Sequence, residues 1–310
     1  MGKQMAGGKD LKSIIKQLEY PDEARIMSQV MEQQERVKAR MDRVMHKIPV
    51  LSGKGGVGKS MVTVNLAIAF ARRGYRVGIL DADLNGPCIP KMMGISDLSF
   101  EITPEGAIPP SGPLNIKVVS MDFLVTKEEN SIRWKGPIDL SPIWLGTMEM
   151  SVLREFLSDV VWGEIDFLFI DLPPGAAADK PPVIAGLIPD LNGAVIVTIP
   201  TEVSLGVVKR SITYARELGI TLLGLVENMS GFVCPVCGAE ADLLEGETRR
   251  IVSDLDIPLL GSIPFDRSLS RSCDRGKPLD EAHFISRRFS GISQRITERL
   301  DLKESVFEKI

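Results

Sequence analysis

Gly53-Lys54-Gly55-Gly56-Val57-Gly58-Lys59-Ser60 fits the pattern G-x-x-x-x-G-K-[ST]. Its flanks suit that reading. Residues 47–51 form a short apolar run with the character of a buried strand. Residues 61–73 place Val64, Ala67, Ile68 and Ala71 at helical spacing, as expected of a helix packed on a sheet. Four glycines let successive backbone N–H groups point into one concavity that accepts phosphate oxygens, and the helix N-terminus adds partial positive charge. On this reading the stretch from Gly53 to Met61 cradles a nucleotide. Lys59 reaches its β- and γ-phosphates, and the Ser60 hydroxyl sits on Mg²⁺. A chance match in a glycine-rich turn lacks the strand before and the helix after.

Lys54 adds information. A second lysine directly after the first glycine matches the deviant phosphate loop, K-G-G-x-G-K-[ST]. Here the chain resembles the dimeric ATPases that include the nitrogenase iron protein, the septum-site and partitioning ATPases and the Mrp-type iron–sulfur carriers. The resemblance implies that Lys54 crosses a dimer interface to nucleotide in the other subunit, and that ATP lies sandwiched in a homodimer. The plain alternative is a solvated lysine on an exposed loop.

The 310 residues allow one large α/β domain or two modest ones, with ample material for a core. Apolar content of 44% and charged content of 25% are those of an ordinary globular protein. No apolar run reaches the length of a membrane span, and the polar start lacks a signal-peptide core, so a cytoplasmic protein is expected. A net charge of −4 gives no global pointer to nucleic acid.

Residues 11–18 read as a short helix and 22–45 as an amphipathic one, its stripe running through Ile26, Val30, Val37, Met41 and Val44. The expected division is a helical extension over 1–46 and an ATPase domain over 47–310. Residues 75–80 are the next strand, closing on Asp81-Ala82-Asp83, where carboxylates at a strand's C-terminal end face the ligand crevice. The run from Asp81 to Pro90 resembles the Mrp switch segment D-x-D-x-x-G-P-S-x-P, with Cys88 in place of serine. By that resemblance Asp81 joins the magnesium shell and Asp83 positions the attacking water; a capped turn is the plainer reading. Residues 97–115 read as loop or edge hairpin, 116–120 as strand and 146–160 as helix. Trp134-Lys135-Gly136-Pro137 resembles a second switch-side motif, R-G-P-M, departing at Lys135 and Ile138.

Residues 167–171 form a buried strand ending in Asp171, the Walker B arrangement, with the acid on Mg²⁺ through water. Leu172-Pro173-Pro174-Gly175 continues the match to D-L-P-P-G-T-G-D, but Ala176-Ala177-Ala178-Asp179 departs from it, and slow hydrolysis is expected. Strands over 194–199 and 221–227, with a helix over 203–218 between them, lead to Asn228-Met229-Ser230. The resemblance gives Asn228 the adenine base and makes Pro264-Phe265-Asp266 a second base-contacting segment, so Pro264 and Asp266 join the nucleotide set. A final helix is expected over 285–300. Strands alternating with helices predict a doubly wound α/β fold, its sheet mostly parallel and helices on both faces.

Cys234-Pro235-Val236-Cys237-Gly238 places two thiolates within reach of one metal centre, in what reads as a loop after a strand. Cys88 and Cys273 are isolated, as are His46 and His283. The string from Asn228 to Gly238 closely matches the Mrp motif N-M-S-x-F-x-C-P-x-C-G, which implies a [4Fe–4S] cluster bridging two subunits and apo iron–sulfur proteins as acceptors. A structural zinc clipping a dimer joint fits the same ligands. So does the broader reading of a positioning-type dimeric ATPase, although the short, mixed-charge ending 298–306 argues against a stable membrane anchor. The nitrogenase iron protein places its cluster cysteines differently.

Overall fold

The structure, a computed structural model, describes residues 23–84, 86–124, 142–175, 184–217, 219–234, 237–242 and 248–302. The expected helix over 11–18, the Trp134 motif and the Ala176–Asp179 departure lie outside these residues.

The central sheet is built on β6, Ile165–Asp171, and its neighbour β1, Val44–Leu51. Phe167 and Phe169 of β6 face one layer of helices, Leu168 and Ile170 the other. A strand covered on both sides must be apolar throughout, which is why residues 167–170 read as one continuous apolar run. With β2 (Val77–Asp81), β5 (Lys117–Val119), β7 (Ala194–Thr198), β8 (Leu222–Val233) and β10 (Leu259–Phe265), the sheet order is β10-β8-β7-β1-β6-β2-β5, parallel throughout. One short strand, β9 (Glu240–Ala241), joins antiparallel to the end of β8. The expected edge hairpin is β3 (Glu101–Thr103) with β4 (Gly106–Ile108), paired apart from the main sheet.

One face carries α2 (Lys59–Arg72) and α8 (Phe284–Arg299), with Leu66, Phe70, Phe289 and Ile292 in a shared core. The opposite face carries α1 (Glu23–Met41) and α4 (Pro142–Asp159), joined through Val37, Met41, Leu153 and Leu157. Alongside them α5 (Glu202–Glu217) packs Val208 and Ile212 on Ile196 and Leu225, with Ile257 behind α6 (Thr248–Asp254) completing that cluster. Short α3 (Ile89–Met92) and α7 (Arg267–Arg275) pack against each other at the crevice end.

Two expectations need correction. The helix expected over 22–45 ends at Met41, and β1 begins at Val44, so the boundary drawn at 46/47 falls inside a strand. Val44 belongs to the helical stripe by spacing, but the pairing Val44↔Ile165 claims its backbone. The strand expected over 221–227 continues to Val233. Asn228 therefore lies within β8, and the cysteines do not sit in an open loop. They sit in a hairpin that β9 closes, Phe232 pairing with Ala241 and Val233 with Glu240. Glycine at 231 and the polar residues around it hid this continuation.

The apolar stripe of α1 divides. Val37 and Met41 are core, whereas Val30 and Met31 face outward. Arg40 holds the helix in place by donating to the Ser158 and Glu105 carbonyls.

Candidate nucleotide site and cysteine hairpin

The phosphate loop follows β1 at the point where the sheet's connections diverge to β6 on one side and β7 on the other, the place where open α/β sheets bind ligands. Gly58 caps α2 with φ of 82°, a left-handed conformation that favours glycine. Gly53 is a glycine for another reason: a Cβ there would stand 2.6 Å from Val207 Cγ1 on α5. Lys54, Gly55 and Gly56 are exposed, Gly53, Gly58, Ser60 and Met61 half-buried, and Val57 and Lys59 buried.

Lys59, Ser60 and Asp171 come together as expected. Asp171 is fully buried and takes three partners. Lys59 Nζ lies 2.7 Å from its Oδ2, the Ser60 hydroxyl donates to the same oxygen at 2.5 Å, and the Thr63 hydroxyl donates to Oδ1 at 2.7 Å. Lys59 thus rests on the Walker B acid, the nearest compensating charge for a buried ammonium. Asp81 is Asp171's register partner across β2 and β6. Its Oδ2 accepts from the Ser120 hydroxyl at 3.0 Å and the Ile89 N–H at 3.4 Å, while Oδ1 is buried without a partner among the described residues. Burial, and then the adjacent Asp171 charge, push the Asp81 carboxyl up to about 7, against the Ser120 bond. A buried carboxylate oxygen without a donor, beside a second carboxylate and a serine hydroxyl, fits a hard divalent cation such as Mg²⁺. Asp83, two residues on, is half-exposed beyond the strand end.

Two residues here escaped the sequence reading, and a third, Cys88, was read only as a replacement for serine. Thr63 stands one helical turn after Ser60, and that spacing is a signal that could have found it. Ser120 ends the run 116–120 beside Asp81, visible only once β5 is known to neighbour β2. The Cys88 thiol meets the Ser60 hydroxyl, and burial pushes the thiol up.

At the other end of the crevice the Asn228 amide is buried and donates to the Val57 carbonyl at 2.8 Å. Pro264 is buried at the end of β10. Asp266 caps α7, accepting from the Ser268 and Leu269 N–H groups at 2.7 and 3.0 Å. A polar cleft of about 230 Å³ lies between Pro264, Ser262, Glu227 and the hairpin residues Phe232, Val233 and Glu240.

The hairpin is tightly turned. Cys234 N–H donates to Ala239 O at 2.9 Å and Gly238 N–H to Cys234 O at 2.8 Å, and Gly238 takes φ of 72°. Cys234 is half-buried and Cys237 exposed. Arg288 of α8 reaches Glu240 at 2.9 Å, tying the hairpin to the body. Cys273 is buried on α7, where desolvation pushes its thiol up to about 11. His46 stacks on Phe167 with ring centroids 4.9 Å apart, and His283 Nδ1 accepts from Ile285 N–H to cap α8, so both histidines are structural. Among the described residues no three His, Cys, Asp or Glu side chains gather as a metal-holding group, and no helix is long and apolar enough to cross a membrane.

A family model described as ParA, NUBPL iron-transfer P-loop NTPase, matches residues 43–300. The iron-sulfur cluster carrier protein of Methanocaldococcus jannaschii is 41% identical over 286 residues, 92% of this chain and 94% of that protein. Its namesake from Saccharolobus solfataricus is 43% identical over 249 residues, 80% of each. The structure of a nucleotide-binding protein from Archaeoglobus fulgidus in complex with ADP superposes with a TM-score of 0.68 at 38% identity, covering 81% of this chain and 96% of that one. The septum site-determining protein MinD of Pyrococcus horikoshii, complexed with Mg-ADP, has a TM-score of 0.58 at 20% identity over 81% and 96%, a likeness of fold. With its doubly wound sheet, its phosphate loop and a match spanning residues 43–300, the chain belongs to the NUBPL iron-transfer P-loop NTPases of the ParA group, and is an ATPase of that class.

Proposed function

We propose that this chain is a cytoplasmic ATP-binding homodimer that holds an iron–sulfur cluster and hands it to apoproteins. One observation carries the reading: the thiol pair and the phosphate loop are connected by a single strand. β8 presents Asn228 to the loop and six residues later delivers Cys234. The cluster-carrier names of the relatives from Methanocaldococcus and Saccharolobus, and the ADP of the Archaeoglobus protein, support the same reading.

In this proposal Gly53 to Met61 wrap the phosphates, and Lys59 leaves Asp171 for the β- and γ-phosphates. The exposed Lys54 reaches the nucleotide of the partner subunit. Ser60, Asp81 and Asp171 would hold Mg²⁺, which would supply positive charge to offset that of the phosphates. Asp83 orients the water that attacks the γ-phosphorus; as the new P–O bond forms, the bond from the γ-phosphorus to the β–γ bridging oxygen breaks, releasing ADP and inorganic phosphate. Asn228, Pro264 and Asp266 shape the base end. Turnover is slow, below the roughly 1–100 s⁻¹ of kinases, because 176–179 depart from the expected loop; a steady-state Mg²⁺-ATP assay inside that range refutes this.

A [4Fe–4S] cluster takes four thiolates. Each chain contributes one pair, two residues apart in sequence, on the hairpin that β9 closes, and a two-fold axis brings two identical hairpins together. Anaerobic reconstitution tests the proposal, with iron, sulfide, zinc and oligomeric mass measured for wild type and Cys234→Ser/Cys237→Ser. Iron near four per dimer, lost in the variant, is the expected result. Uptake of zinc alone, or a variant retaining its iron, overturns it.

A further inference from the structure

Asn228 is 2% exposed, and its Nδ2 is committed to the Val57 carbonyl of the phosphate loop. That nitrogen stands 2.3 Å from where a Cβ on Gly58 would lie, so strand and loop are in direct contact at a point that only glycine permits. The next residue, Met229, takes φ of 54°, a left-handed conformation that side chains disfavour and that persists only where its surroundings hold it. Register with β10 slips at the same place. Ile263 pairs with Asn228 and Phe265 with Phe232, so β8 bulges across 229–231. The far side of the bulge is seated against the hairpin, since a Cβ on Gly231 would stand 2.7 Å from Ala241 O. Beyond it remain only Phe232 and Val233 before Cys234.

We propose that Asn228 is a positioning residue that ties the shape of the phosphate loop to the setting of the Cys234–Cys237 hairpin, with the 229–231 bulge as the joint between them. This rests on the reading of the loop as a nucleotide site. An amide offers two N–H donors and an acceptor oxygen. One N–H is on Val57, which leaves the other N–H and Oδ1 for a base edge. A base engaging that amide acts on the same group that grips the loop, and a shift of Val57 around phosphates acts on it from the other side. Either displacement reaches the hairpin through one strained turn of backbone, with no second subunit required.

The test uses the full chain without metal. The rate of iodoacetamide labelling at the exposed Cys237 is read by peptide mass spectrometry with and without saturating ADP, and ADP binding is followed in parallel by calorimetry. Wild type is expected to change its labelling rate about fivefold or more on binding ADP, the lower end of ordinary coupling between sites. In Asn228→Ala, with ADP raised until the variant is saturated, the ratio falls to about one. Asn228→Asp, which keeps the side-chain shape and loses the donor, behaves alike and guards against a mere loss of packing. ADP binding to wild type with no change at Cys237, or an Asn228→Ala ratio equal to wild type, overturns the coupling alone. Wild type that binds no ADP overturns the nucleotide reading and the coupling with it.

Discussion

Asp171→Ala destabilises the nucleotide-free protein chiefly by leaving a buried ammonium without its counter-charge. Lys59 Nζ is 2.7 Å from Asp171 Oδ2, with side-chain exposures of 6% and 0%. Removing the carboxylate takes away the ammonium's ion pair, leaving the Ser60 hydroxyl at 3.5 Å as a hydrogen-bond partner and the buried Asp81 carboxyl as the nearby acid. Breaking such a pair from one side costs about 3–5 kcal/mol. Thr63 adds little, because its hydroxyl can still donate to the Lys59 carbonyl at 3.0 Å. At roughly 2–4 °C per kcal/mol for a domain of 150–250 residues, the loss corresponds to a fall in Tm of about 6–20 °C. Replacing both partners, as Lys59→Met/Asp171→Ala, should restore most of it, since an apolar side chain fills the site without an unpaired charge. Thermal unfolding of the wild type, the single variant and the double variant without nucleotide gives the comparison. An Asp171→Ala Tm within about 2 °C of wild type would refute the argument: the lysine would then reach solvent at no cost, and the pair would not be a buried one.

Lys59→Ala should weaken ATP binding at least about a hundredfold while Lys54→Ala binds normally and loses hydrolysis, because the first is buried beside Asp171 in the proposed phosphate site and the second exposed on the loop; nucleotide titration beside a turnover assay separates them, and unchanged affinity in Lys59→Ala refutes the assignment. At pH 8 iodoacetamide should modify Cys237 readily and Cys273 roughly a hundredfold more slowly than an ordinary thiol, since a shift from 9.0 to about 11 removes that share of its thiolate; equal labelling in the folded protein refutes this. His46 titrates below its usual 6.5, because burial and then the Lys47 charge favour the neutral ring. Its contribution to stability is therefore complete above 6.5 and lost as pH falls through the lowered folded value. His46→Phe, which keeps the stack on Phe167, should flatten the decline in Tm between pH 7 and 5, and an unchanged slope refutes it.

The sequence carried the phosphate loop, its flanking elements and the two strand-end acids because each rests on local chemistry: glycines at a turn, a helix start, an acid after an apolar run. What it could not carry depends on who sits beside whom. Val44 belongs to a helical stripe by spacing and to a strand by its pairing with Ile165. Asn228 reads as the first residue after a strand, but β10 on one side and β9 farther on extend pairing through a glycine and a serine that no propensity favours. Ser120 and Asp81 are 39 residues apart and meet only because β5 lies next to β2. The resting position of Lys59 on Asp171 was invisible for a related reason. The motif describes the lysine's place on phosphates, whereas its contact with Asp171 depends on β6 lying beside β1.

The sheet order has a consequence for biosynthesis. β1 has no sequence neighbour as a partner; its two flanking strands are β6 and β7. The phosphate loop is thus translated early, but its root gains a first flank only with β6 and is not held on both sides until β7, roughly 150 residues on, has left the ribosome, an interval of about 7–30 s at ordinary elongation rates. Through that interval the apolar residues 48–51 and 62–70 are exposed without their core, and nucleotide has no formed site to stabilise. Chaperone demand during synthesis should therefore be highest before β7 emerges, and added nucleotide should protect only chains already longer than that point.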